Sequence, residues 1–315
     1  MQTGVLLPTA LSRNGSARNG SAHSGSARAI VEVAVRAERL GYDSVWANDT
    51  LIGARIEPLT MLAAVAPSTS RVTLGTAALL PALRRPVHAA QAIASLDQLT
   101  DGRLTLAVGA GFPGRSEPEY AASEVGWARR FARLDDTVAL WRQLWAADGP
   151  VSFDGAVLQL ADVPLGTPPA RPGGPPIWLA GGAPAALARA GRLYDGWLPY
   201  PPDPADYAAG LATVHAAAGT ADRPVDAITP ALFVTVRVAR DVAAGRREVD
   251  AFCRASYGLP LEVVETVQTI VTGPAEHIAE VLAAYAKAGA RHVVQRIAAP
   301  DVAGVLQQLD LLAPR

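Results

Sequence analysis

The chain has 315 residues, half of them apolar and 18% charged, a balance that excludes a disordered polymer and suits a buried core. With 28 basic against 29 acidic residues the formal charge is −1, so no field holds a nucleic-acid backbone, and no apolar run approaches the roughly 20 residues that cross a bilayer. A lone cysteine, Cys253, excludes an intrachain disulfide or thiolate cluster, and the start MQTGVLLPTA lacks the basic head and cleavage site of a secretory signal, so the cytoplasm is the expected compartment.

The first apolar run, 4–7, leads into SRNGSARNGSAHSGSA (12–27), a low-complexity Gly/Ser stretch expected to be a flexible loop inside the domain, either a disordered insertion or a lid. Runs of the same kind recur at 43–47, 72–77, 104–109, 176–180, 196–199, 232–238 and 292–297. Between them lie segments with apolar residues three and four apart, such as PVHAAQAIASLDQL and AEHIAEVLAAYAKAG. Eight strand–helix repeats predict an α/β fold, a (β/α)8 TIM barrel occupying 1–315 as one domain. The rhythm breaks at 111–175, read as an insertion after the fourth strand. Within it PVSFDGAVLQLADV alternates like a hairpin about Asp154-Gly155, and GTPPARPGGPP is a connector, because proline lacks the amide donor.

Chemistry in such barrels gathers where strands end at the C-terminal face. SVWANDTL therefore brings Asn48, Asp49 and Thr50 to a candidate site, although polar residues there also serve as turn residues satisfied by local amides. GRLTLAVGAGFPG matches G-x-G-x-x-G through Gly109, Gly111 and Gly114, with Asp135 and Asp136 about twenty residues on. Pro113 and RSEPEY open no amphipathic helix, which argues against a dinucleotide seat. PIWLAGGAPAALARAG is more telling: a strand ends in Gly181-Gly182, and Ala183-Pro184 opens a helix whose first amides are uncrowded, a phosphate seat or simply a tight turn.

Other residues carry weaker signals. The five histidines, His23, His88, His215, His277 and His292, show no metal-ligand spacing, so no metal is expected. Trp141 and Trp145, four apart, read as core. Arg129, Arg130 and Arg133 form a solvated face or a hold for an anion.

In combination and order, ERLGYDSVWANDTL, RVTLGTAALLPALRRPVHAAQAIASLDQLTDGRLTLAVGAGF, RRFARLDDTVALWRQLW and PPIWLAGGAPAALARAGRLYDGWLP resemble the luciferase-like monooxygenase family of flavin and deazaflavin oxidoreductases. The resemblance spans nearly the whole chain. It implies a cofactor across the barrel mouth, backed by a bulge on the third strand, often with a non-proline cis bond, at Ala77-Ala78. It further implies cofactor contacts from Asp49, Leu80, Gly109, Arg115 and Ala180, and a phosphate on Gly181, Gly182 and Ala183. Arg84, Arg85 and Arg115 are candidates for an anionic tail, and Leu6, Trp46, Phe112, Trp178 and Tyr200 for the substrate pocket.

Relatives that oxidise sugar phosphates often carry His after the Asp and an acid after the fourth strand; Thr50 and Phe112 stand there, which makes that reaction improbable here. The reading favoured is hydride transfer between coenzyme F420, the deazaflavin, and a small, largely apolar organic substrate. Asn48, Asp49 and Thr50 are its candidate catalytic residues, and Tyr200, Tyr194, Arg115 or solvent its proton donors. The alternatives are an FMN-dependent monooxygenase fed by a flavin reductase, and a non-catalytic flavin-binding protein. The resemblance also implies a homodimer, with a flavin or F420 reductase as a further partner, and a loss of cofactor affinity on Asp49→Ala.

Overall fold

The computed structural model describes residues 1–10 and 26–314, so the expected flexible loop 12–27 lies almost wholly outside the described residues. Strands β1 (Gln2–Leu6), β2 (Ser44–Ala47), β3 (Thr73–Leu79) and β4 (Leu104–Val108) alternate with helices α1 (Ala27–Arg39), α2 (Pro58–Val65) and α3 (Pro86–Leu99). Next come α4 (Glu117–Ala122), α5 (Arg130–Ala146) and an antiparallel hairpin of β5 (Val151–Asp154) and β6 (Gln159–Val163). The rhythm then resumes with β7 (Ile177–Ala180), α6 (Pro184–Leu193), β8 (Gly196–Leu198), α7 (Pro204–Thr220) and β9 (Thr229–Val238). The chain ends with α8 (Val242–Tyr257), α9 (Leu261–Val264), β10 (Ile270–Gly273), α10 (Ala275–Lys287), β11 (His292–Ile297) and α11 (Val302–Leu311).

Parallel pairing runs β1-β2-β3-β4-β7-β8-β9-β11 and returns to β1, closing an eight-stranded (β/α)8 barrel made of the eight runs read from the sequence. The sequence reading contains no strand at β10, whose four residues are too few to show a period. β10 pairs with the upper half of β9 from Thr235 to Val238, whereas β8 pairs with its lower end at Thr229 and Pro230. The Thr269 amide donates to the Tyr200 carbonyl at 2.9 Å, so β10 is wedged between β8 and β9 toward the mouth.

Local signals set the helix ends. Ser26, Asp241 and Asp301 cap α1, α8 and α11 by accepting from the amides of Ala29, Ala244 and Gly304. Prolines 58, 86 and 184 occupy first positions, where no amide is needed. Within 111–175, α5 takes a place in the outer ring: the indoles of Trp141 and Trp145 donate to the Pro86 and Ala90 carbonyls of α3 at 2.9 and 3.1 Å. Only α4 and the hairpin are additions, and Asp136 fastens the hairpin by accepting from the amides of Val157 and Leu158 at 2.6 and 2.9 Å.

Strand residues alternate between two cores. Val5, Val45, Leu74, Leu106 and Val293 face the helices, while Leu6, Trp46, Ala107, Trp178 and Val294 face the barrel axis. The lower interior holds Trp46 and Trp178, 5.2 Å apart, with the His292 ring 5.5 and 5.3 Å from them. Glycines make the room: a Cβ on Gly4, Gly75 or Gly196 would fall 2.6, 2.2 or 2.3 Å from these indoles. The base of the barrel is thereby filled, and a ligand can enter only from the opposite end.

Candidate active site

Alternation decides which side chains reach the mouth. Ser44, Trp46 and Asn48 share the inward phase of β2, and Asn48 accepts from the Thr9 hydroxyl at 2.8 Å. Asp49 falls in the other phase. Its side chain is 2% exposed, accepts from the Leu80 amide at 2.9 Å and pairs with Arg84, which also donates to Glu57 at 2.5 Å. Burial acts to raise the Glu57 carboxyl, but the Thr60 amide and Arg84 outweigh it and hold the carboxyl below its ordinary range. The Asp49 carboxylate, expected as a cofactor contact, is thus engaged by Arg84 and the Leu80 amide, and Arg84, expected at an anionic tail, is paired with Asp49 and Glu57. Asp49 instead fastens the backbone of the residues that follow the β3 bulge.

That bulge carries a cis peptide bond at Ala77-Ala78, with the β3–β4 register shifting between Thr76 and Leu79. The Gly109 amide donates to the Leu79 carbonyl at 2.8 Å. A Cβ built on Gly109 would lie 3.7, 3.9 and 4.0 Å from side-chain carbons of Ala78, Leu80 and Ala180. Four expected cofactor residues from β3, β4 and β7 thus converge on one shallow surface, whose centre is bare because Gly109 has no side chain.

Beside it, Gly181 adopts φ +126°, a region that L side chains avoid, and its carbonyl accepts from the Trp197 indole at 2.9 Å. α6 then starts at Pro184 behind Ala183 with no side-chain cap. Arg130 and Arg133, at the start of α5, each keep a buried Nε with no partner among the described residues. Arg130 stacks on Trp127 at 4.0 Å, and Trp127 packs against the Gly111 backbone of the β4 exit. Arg189 of α6 pairs with Asp135 at 2.8 Å and lies over Phe131, docking α5 on α6. Among the described residues the first amides of α6 thus carry no side-chain cap, and two guanidinium edges on α5 stay unpartnered.

The remaining candidates are spread around the rim. The Thr50 hydroxyl donates to Glu119, a carboxylate 3% exposed that also accepts from the amides of Leu51 and Ile52 at 2.7 and 3.3 Å. Thr50 is therefore clasped to α4, and Glu119, which sequence reasoning missed, organises that exit loop; its short helix gave no periodic signal. Leu6 and Trp178 lie at the floor with 8% and 5% exposure, while Trp46 at 0% lies beneath it and supports it, so the pocket role read for Trp46 becomes structural. Phe112 is on the exposed rim.

Tyr200, in phase with Gly196 and Leu198, faces the mouth, and burial, with Tyr257 adding, pushes its hydroxyl above the usual range. Tyr194 does not reach the mouth: it donates outward to Asp135 at 3.0 Å, which removes it as a proton donor. Arg115 donates to the Ser256 carbonyl at 3.0 Å and lies over the Tyr257 ring.

Residues 1–292 match the family described as luciferase-like monooxygenase. Among curated proteins, the F420-dependent glucose-6-phosphate dehydrogenase of Amycolatopsis mediterranei (strain U-32) is 39% identical over 54% of this chain and 53% of that enzyme. The phthiodiolone/phenolphthiodiolone dimycocerosates ketoreductase of Mycobacterium bovis (strain BCG / Pasteur 1173P2) is 33% identical over 81% of this chain and 60% of that enzyme. The alignments thus span about half of the first of these relatives and three fifths of the second. Among solved structures, an F420-dependent secondary alcohol dehydrogenase in complex with an F420-acetone adduct superposes with a TM-score of 0.76 at 21% identity, covering 99% of this chain and 97% of that one, a likeness of fold. The barrel, the Ala77-Ala78 bulge and the match over residues 1–292 agree, and the chain belongs to the luciferase-like monooxygenase family.

Proposed function

We propose that the protein is an oxidoreductase that transfers a hydride between coenzyme F420 and a small organic substrate. The observation that carries the reading is the convergence of Ala78, Leu80 and Ala180 around Gly109, whose missing side chain leaves the backbone open between them. Small side chains there let a flat ring system lie against the barrel wall, and the uncapped start of α6 suits a phosphate at Gly181, Gly182 and Ala183, with the free guanidinium edges of Arg130 and Arg133 on α5, which docks on α6. The F420-dependent relatives support the choice of deazaflavin. When bound, F420 supplies two-electron hydride chemistry that needs no oxygen.

The chain's own part is orientation and proton handling. Asp49, through Arg84 and the Leu80 amide, fixes the backbone behind the ring surface. The indole plug closes the barrel below and keeps water from that side. Asn48 presents its amide to the mouth, its carbonyl oxygen held by Thr9. Tyr200 keeps its phenolic proton at neutral pH and can hold it at Oη over a bound substrate.

The test is a titration of the apoprotein with F420 and FMN, each oxidised and reduced, on wild type and Gly109→Val. F420 should bind the wild type more tightly than FMN, and Gly109→Val should weaken it by about tenfold or more while leaving the melting temperature within a few degrees. Preference for reduced FMN with oxygen-dependent turnover would replace this reading with that of a monooxygenase.

A further inference from the structure

The mouth carries charge that the proposed function leaves unused. Arg296 sits at the upper end of β11 in the inward phase of His292 and Val294, stacked over Phe252 and Tyr257 of α8 at 4.7 and 4.9 Å, and it donates to the Tyr257 hydroxyl. Arg115, from the β4 exit, lies over the same Tyr257 ring at 5.5 Å. Arg55, from the β2 exit, is partly buried nearby; burial, and after it Arg296 and Arg115, hold its guanidinium below the ordinary range. Two guanidinium groups from separate segments therefore gather about one phenol, and that of Arg55, from a third, lies within reach of their charge. Among the described residues none of them forms an ion pair.

A second observation points the same way. Thr235 of β9 is the register partner of Arg296 and shares the inward phase of Ala231 and Phe233. Its hydroxyl oxygen is buried with no partner among the described residues, in a residue 1% exposed. By strand order, β9 and β11 stand across the barrel from β3 and β4, which carry the small-residue surface. Like charges brought together repel unless an anion joins them, most of all where burial removes water, as at Arg55, and guanidinium groups bind oxyanions with paired, directed N–H groups.

We propose that Arg55, Arg115 and Arg296, with the Thr235 hydroxyl, form a subsite for an oxyanion, carboxylate or phosphate, carried by the substrate, so that the substrate is an apolar molecule with one anionic end. The inference deepens the proposed function and rests on it for placing the substrate in the mouth. The rival source of the same chemistry is the acidic tail of the cofactor.

The test uses calorimetric titration of the full chain with octanoate and with its neutral counterpart octanamide, alongside F420. Wild type should prefer octanoate by about tenfold, and the double variant Arg55→Gln/Arg296→Gln should bring the two probes within about twofold while F420 affinity changes less than about twofold. If the double variant fails to fold, Arg115→Gln, at an exposed position, should lower the same preference by a smaller factor. Equal binding of the two probes to wild type, or a preference that survives the substitutions, overturns the subsite. A parallel loss of F420 affinity gives the arginines to the cofactor tail and overturns it as well. A wild type that prefers octanoate yet binds no F420 defeats the cofactor reading alone and leaves the subsite standing.

Discussion

The lower and upper halves of the barrel interior are built by the same strands with the same alternation, yet they hold opposite kinds of residue. Below, Trp46, Trp178 and His292 fill the space, and glycines on β1, β3 and β8 give way to them. The polar atoms there are mostly matched: the Trp46 indole donates to Ser44 Oγ at 2.7 Å, and Ser44 lies 2.8 Å from His292 Nε2. Gln2 Oε1 can only accept, so His292 Nδ1–H donates to it at 3.1 Å, and Nε2 of the neutral imidazole accepts the Ser44 hydroxyl proton. Above, small residues line one wall, and the buried Thr235 hydroxyl has no partner among the described residues. Dense aromatic filling marks the structural half, where the Trp178 indole N–H alone of these groups lacks a partner among the described residues, and small residues with open space mark the half left for a ligand.

The largest break in that contrast is Trp46→Ala, which should cost about 3–5 kcal/mol through the lost burial and the cavity left behind. Denaturant unfolding checks it. Gly75→Ala attacks the same contact from the other side, since its Cβ would meet the Trp46 ring at 2.2 Å, and overpacking of this kind costs about 1–3 kcal/mol or more.

The next effect is a pH dependence. Burial pushes the His292 imidazole from 6.5 down to about 4, with Asp43 opposing weakly. The unfolded chain takes up this proton near pH 6.5 and the folded one only near 4. The stabilisation is therefore full above pH 6.5 and is lost as pH falls to 4, by about 3 kcal/mol in all. Unfolding measured at pH 7 and pH 4 should show the loss in wild type and a smaller slope in His292→Gln.

A smaller effect sharpens the comparison at its upper edge. Asp49→Ala leaves Arg84 with Glu57 alone and frees the Leu80 amide, at a cost of about 2 kcal/mol. F420 affinity should fall with it, because the residues behind the ring surface loosen. A variant with full affinity and lowered stability would confine Asp49 to a purely structural role.

The sequence carried the parts of this picture that depend on local pattern. Eight strands followed from short apolar runs recurring between helical patterns, the hairpin from alternation about Asp154-Gly155, and the bulge position from the resemblance carried by LGTAALLP. What it left hidden depends on partners distant in the chain. NDT announces three polar residues at a strand exit, but only the phase of β2 and the position of Arg84, thirty-five residues on, decide that Asn48 turns inward and Asp49 away. Arg55, Arg115 and Arg296 stand far apart in sequence, each unremarkable alone, and only barrel closure brings Arg115 and Arg296 to Tyr257 and Arg55 within reach of their charge. Glu119 likewise gains its role from three donors on the β2 exit.

The wedged strand β10 changes the shape of the vessel. At its base the wall is eight strands around; at the rim, where β10 parts β8 from β9, it is nine. Barrel diameter grows roughly in proportion to strand number, so the rim is about one-eighth wider than the base. The interior is a funnel whose taper comes from topology rather than from side-chain size. Enlarging the cavity by trimming side chains would sacrifice the narrow end first, whereas changing the length or pairing of β10 would adjust the wide end and leave the foundation intact.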